Sequence, residues 1–140
     1  MKKSLIIILL TGLFAFSASA QNNKQFDPVK FDRELEQFVA TEACLCPQES
    51  SAFFPLYREM RKKKKVLFDQ IRRLRHTDIS NDKACEETIR KQDDLDIEMK
   101  ELQWEYHNKF MKVVPASKVL KIIKAEEKFH RQYFKKVANH

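Results

Sequence analysis

Three groups of residues in this chain have types and spacings that could do chemistry. Cys44 and Cys46 stand one residue apart in A-C-L-C-P-Q-E-S-S-A-F-F-P, Ala43 to Pro55, and Cys85 is the third cysteine. Thiolate and imidazole donors suit Cu(I) or Zn, so a C-x-C pair completed by a histidine from elsewhere is one reading. A strained, redox-active Cys44–Cys46 bridge is a second, and ordinary thiols at a helix start are a third. Glu126 and His130 are four residues apart, the interval at which helical side chains are neighbours. They could ligate a metal from one helix face or form an ion pair at a groove rim. His76, His107 and His140 have no spacing that enlarges this set. The third group is basic: R-K-K-K-K, Arg61 to Lys65, with Arg58, Arg72 and Arg73 around it.

None of these resembles catalytic machinery. No Ser-His-Asp order, phosphate-cradling glycine loop or paired catalytic carboxylate can be argued. The chain reads as a non-enzyme with no required cofactor, Cu or Zn belonging only to the metal-binding alternative.

The setting of the cysteines follows from the first twenty residues, MKKSLIIILLTGLFAFSASA. Lys2 and Lys3, an apolar run from Leu5 to Phe16 and the small residues Ala18-Ser19-Ala20 have the order of a secretory signal peptide. No Cys follows the cleavage point at Gln21, which argues against a lipoprotein anchor. No later apolar run approaches the roughly 20 residues needed to cross a bilayer. The expectation is a soluble, exported protein of the periplasm, with residues 21–140 forming one domain. Removing Lys2 and Lys3 from the 27 Lys and Arg leaves 25 against 20 Asp and Glu, a net charge of +5. Charges this mixed commonly mark solvated helix faces, and export makes nucleic acid a poor partner.

The positioning elements read as helices. The single Gly, at position 12, leaves residues 21–140 with none, so turns needing positive φ are expected to use Asn or Asp, and hairpin-rich β structure is disfavoured. Asp27 can cap a first helix with Pro28 at its first position; Phe31, Leu35, Phe38 and Val39 make its apolar stripe, ending near Ala43. A second helix should run from Pro47 to about Arg75 on Phe53, Leu56, Tyr57, Met60, Leu67, Phe68, Ile71 and Leu74. Pro55 lacks the amide for an i−4 bond and should kink it or divide a lead-in turn from the main rod. After a loop from His76 to Asp82, a third helix from about Lys83 to Lys112 presents Ile89, Leu95, Met99, Leu102, Tyr106, Phe110 and Val113. Pro115 opens a fourth on Val119, Ile122, Ile123, Phe129, Tyr133 and Val137. The fold class is therefore all-α, four helices, with the second and third forming a long central antiparallel hairpin.

At 100° per residue, Lys64 falls inside the second helix's apolar stripe, and Glu126 and His130 inside the fourth's. Charges are rarely buried without partners, so these positions should face water or a groove in an open assembly, with the Lys stem lying along apolar surface. An open array leaves apolar surface for a second copy, hence an expected homodimer. On the other side of the second helix, Arg58, Arg61, Lys65 and Arg72 fall within about 60° of one another, flanked by Lys62 and Arg73. This band is either a solvated face or a surface attracting acidic or partly unfolded partners.

L-C-P-Q-E-S-S-A-F-F-P-L-Y-R-E-M-R-K-K-K (Leu45 to Lys64) and V-P-A-S-K-V-L-K-I-I-K-A-E-E-K-F (Val114 to Phe129) resemble the Spy/CpxP superfamily of exported helical proteins with LTxxQ motifs at helix starts. At the first motif Cys46 stands in the Thr position and Glu49 in the Gln position; at the second, Pro115 and Lys118 do. The resemblance implies either an ATP-independent chaperone or a stress or heavy-metal sensor of the bacterial envelope. Chaperone members are similar to a cradle-shaped antiparallel dimer holding unfolding clients. Clients would be steered by Arg58, Arg61, Lys62, Lys65 and Arg72 and held on exposed apolar surface at Phe53, Phe54, Leu56 and Tyr57. The sensor alternative would use Cys44, Cys46, Glu126 and His130, with an inner-membrane signalling partner. About 29 residues of helix separate Cys46 from Cys85 by roughly 40 Å, against the ~7 Å Cα separation a disulfide tolerates. A Cys46–Cys85 bond would then have to join two subunits of such a dimer.

Overall fold

The computed structural model describes residues 26–139; the signal-peptide reading of residues 1–20 lies outside them. Four helices, α1 (Pro28–Glu42), α2 (Pro47–Arg73), α3 (Asp82–Val113) and α4 (Ala116–Ala138), and one 3-10 turn (Leu74–His76) follow in order. There is no strand among the described residues, and no described helix is long and apolar enough to cross a membrane.

The helices start and stop for local reasons. Asp27 Oδ1 accepts from the amides of Val29 and Lys30, at 3.1 and 3.2 Å, with Pro28 in the first turn, where its missing amide costs nothing. At the far end of α1 the Cys44 amide donates to Thr41 O at 3.2 Å and the Leu45 amide to Ala40 O at 3.0 Å, the paired bonds of a Schellman turn. Its left-handed position is Cys44, at φ 52°. The expectation that Asn or Asp would occupy such a site is corrected: a thiol-bearing residue does, at the usual steric cost of a Cβ there.

Helix α2 runs without interruption through Pro55, so the expected division into lead-in turn and rod does not occur. It ends in the 3-10 turn, and the Thr77 hydroxyl donates to Leu74 O at 2.8 Å. Asn81 Oδ1 caps α3 by accepting from the Ala84 amide at 3.1 Å. Val114 adopts the extended conformation that a residue before proline favours, and α4 follows Pro115.

Packing pairs α2 with α3 and α1 with α4. Contacts between α2 and α3 run in opposite chain directions: Phe53 stacks edge-on against Phe110 at 4.7 Å, Leu67 clusters with Leu95 and Met99, and Thr77 meets Thr88 at 2.6 Å beside the connecting loop. Between α1 and α4, Phe38 meets Phe129, Phe31 meets both Phe129 and Tyr133, and Phe26 lies 6.2 Å from Tyr133. The main core joins all four helices around Leu35, Val39, Phe53, Tyr57, Tyr106, Phe110, Val119 and Ile122. A smaller cluster, Leu67, Leu95 and Met99, supports the end of α2 and α3 near their loop. Ile89 and Val137, expected in apolar stripes, are exposed because no helix packs over those turns.

Candidate functional site

A groove of about 1080 Å³ runs between the basic face of α2 and the facing sides of α1, α3 and α4. Of the basic band read from sequence, Arg58, Arg61, Lys62, Lys65 and Arg72 line it and Arg73 does not, while Lys64 lines it too. The helix wheel accounts for this: these residues fall in adjacent turns along one side of α2. Glu126 and His130 face the same groove from α4, as the expectation of a water- or groove-facing position required. Phe68, 54% exposed, and Val29, 73% exposed, add apolar surface to its walls.

Much of the positive charge is already matched. Arg58 makes a two-pronged pair with Glu36, at 2.8 and 2.7 Å. Arg61 reaches Asp32 at 2.8 Å while its guanidinium lies over the rings of Phe31 and Tyr57. Lys65 and Arg72 share Asp69, whose carboxyl their contacts hold below its ordinary range, Lys65 contributing most. Glu126 stands 3.8 Å from His130. Burial pushes the Glu126 carboxyl up, but His130 and Lys64 together outweigh it and leave the group lowered. On α3, burial, reinforced by the Lys64 ammonium, pushes His107 down.

The Tyr57 hydroxyl is buried and makes no hydrogen bond of normal geometry. Burial, with the Glu126 carboxylate nearby, pushes this phenol well above its ordinary range. The apolar half of the client-contact expectation is corrected here. Phe53 and Tyr57 are fully buried and Phe54 nearly so, all in the core under α1 and α4. Leu56 is half-buried against that core. A client cannot reach Phe53, Phe54 or Tyr57 without unpacking the molecule; the accessible apolar surface is supplied by Phe68, Val29 and Phe26 instead. Lys100, Gln103 and His107, which sequence reasoning passed over, complete the α3 wall. Their i, i+3, i+7 spacing was available as a signal, but lies beside the apolar stripe that defined α3.

The cysteine pair occupies a separate structure, the joint between α1 and α2. Cys46 caps α2: its Sγ accepts from the Glu49 amide at 3.5 Å, and Glu49 Oε1 accepts from the Cys46 amide at 3.1 Å. This is a capping box with a thiol in the hydroxyl's place. Lys118 of α4 closes the joint, its Nζ 2.6 Å from Glu49 Oε1 and 2.9 Å from the Cys44 carbonyl oxygen. The Lys118 ammonium first, then Cys46, hold the Glu49 carboxyl down to about 2. Glu49 and Lys118, the two residues in the Gln positions of the motif comparison, are thus partners. Cys44, Cys46 and Cys85 are all free thiols, and Cys85 donates to Asp78 O at the opposite end of α2.

The structure therefore places Cys44 and Cys46 in the joint and Glu126 and His130 in the groove, not in one donor set. No group of three or more His, Cys, Asp or Glu poised for a metal occurs among the described residues. A second groove, of about 750 Å³, lies between α2 and α3 and carries Glu98, Glu101 and Glu105 beside the exposed Trp104. Its lining includes one cation, Lys63, so it lacks the basic character of the first. Comparison with known proteins finds no matching family model, no matching curated protein and no matching solved structure.

Proposed function

We propose that this protein is an exported, ATP-independent chaperone-like binder of partly unfolded polypeptides, acting in the periplasm. The observation that carries the reading is the convergence of Arg58, Arg61, Lys62, Lys65 and Arg72 on one open groove that also exposes Phe68 and Val29. Long-range attraction by the cations brings acidic chains close, and scattered apolar side chains hold them weakly enough to let go without a nucleotide-driven step. In this reading α2 and α3 are the long antiparallel hairpin of an open cradle, and two copies form an antiparallel homodimer that lengthens the binding surface.

The test is light scattering from an aggregating, thermally unfolding protein, with this protein added at equal molarity. Suppression is expected, and it should fall steeply when Arg61, Lys62 and Lys65 are changed together to Glu. Aggregation that proceeds unchanged in the presence of the wild-type protein would defeat the reading. Sedimentation of the purified protein tests the dimer separately.

A further inference from the structure

The cations of the groove are not equivalent. Arg58, Arg61, Lys65 and Arg72 each hold a carboxylate of the same molecule. An incoming anion would have to displace that carboxylate or share its cation. Lys62, Lys64 and Lys100 line the same groove and form no ion pair among the described residues.

Two of these three stand at the same level of the groove. The opposed contacts of α2 and α3, with Leu67 against Leu95 and Met99 and Phe53 against Phe110, bring Lys64 level with Lys100. Lys64 is half-buried, four residues from both Met60 and Phe68 on α2. Lys100, Gln103 and His107 share one face of α3 and line the wall. The positive charge of both lysines is felt at His107. Across the groove, Glu126 is engaged by His130 and by the Lys64 charge, and Glu127 also lines that side.

We propose that Lys64 and Lys100, with Gln103 and His107 beside them, form the anion-selective subsite of the groove. It takes the carboxylate of an Asp or Glu in a client segment whose neighbouring apolar side chain rests on Phe68. The inference rests on the chaperone-like reading and names the class of segment it selects: acidic with an adjacent aromatic or aliphatic residue. The charge complementarity is specific, because unmatched cations in a partly apolar wall favour a ligand carboxylate more than cations already paired do. Arg58 and Arg61 then act mainly as struts, fastening α1 to α2 along the groove's edge.

Binding of two short unstructured peptides, followed by fluorescence anisotropy, tests this. Both contain phenylalanine; one carries flanking glutamates and the other glutamines. The wild-type protein should prefer the glutamate peptide by about tenfold at low salt. The Lys64→Gln/Lys100→Gln variant should bind both alike. A variant lacking a matched pair away from the groove, Arg90→Gln/Glu86→Gln, should keep the preference, since it changes no net charge. Circular dichroism establishes that each variant is folded. As an independent reading, the His107 imidazole should titrate at higher pH with the glutamate peptide bound than with the glutamine peptide, since both bury it alike and only the first offsets the Lys64 and Lys100 charge that, after burial, lowers it.

Preference retained in Lys64→Gln/Lys100→Gln, or lost in Arg90→Gln/Glu86→Gln, overturns the subsite. Aggregation suppression without any preference between peptides also removes the subsite while leaving the chaperone-like function standing. Failure of both suppression and peptide binding removes the function itself.

Discussion

At the level of single residues, the joint between α1 and α2 shows side-chain chemistry used for architecture. Glu49 is depressed to about 2 by Lys118 and Cys46, so its contribution to stability is fully present above its ordinary value near 4.5 and is lost as the pH falls towards 2. The melting-temperature gap between the wild-type protein and Glu49→Gln should therefore close between about pH 5 and about pH 2; a gap of constant size would show that the clamp does not form. Cys44 sits at φ 52°, and Cys44→Gly should stabilise the protein by up to about 1 kcal/mol in urea unfolding, while Cys44→Val should destabilise it. Tyr57→Phe deletes a buried hydroxyl that has no partner. It should leave stability unchanged or raise it by about 1 kcal/mol, whereas Phe53→Ala should cost about 3–5 kcal/mol. The sequence made Cys46 recognisable as a helix start and Glu49 as its motif partner. It did not disclose Lys118, 69 residues away along the chain, because a long-range ion pair leaves no periodic mark.

Among the elements, the boundaries were the most legible feature, since caps and prolines act within a few residues of themselves. Asp27, Pro28 and Pro115 all stand at the ends they were expected to mark. At Pro55 the expected break does not occur, because the helix on either side outweighs one absent hydrogen bond. Pro55 is exposed, so Pro55→Ala should restore that bond without disturbing packing and raise stability by about 1–3 kcal/mol, measured by chemical unfolding. The α2 stripe was also legible, but its meaning was not. Periodicity places Phe53, Tyr57 and Phe68 near one face, yet only the arrival of α1 and α4 decides that the first two are covered and Phe68 is left open. The basic band escaped this ambiguity because charged side chains have to reach the surface wherever the helix packs.

Across the whole molecule, the apolar support is uneven. The large cluster binds four helices together, whereas near their loop α2 and α3 share a small one, Leu67, Leu95 and Met99 with half-buried Ile71, Leu74 and Leu102 against them. Amides between about Leu67 and Leu95 should exchange with solvent before those around Phe53, Tyr106 and Val119; uniform protection by hydrogen-exchange mass spectrometry would contradict this. The thinner end also adjoins Phe68 and Lys100, so the groove should widen there first when a bulky chain enters. At the other end, Phe26 lies against Tyr133, bringing the first and last described turns side by side. The molecule is accordingly suited to circular permutation: a short linker between these turns and new ends opened within Thr77–Asn81 would leave every helix in place while α3 and α4 are made before α1 and α2.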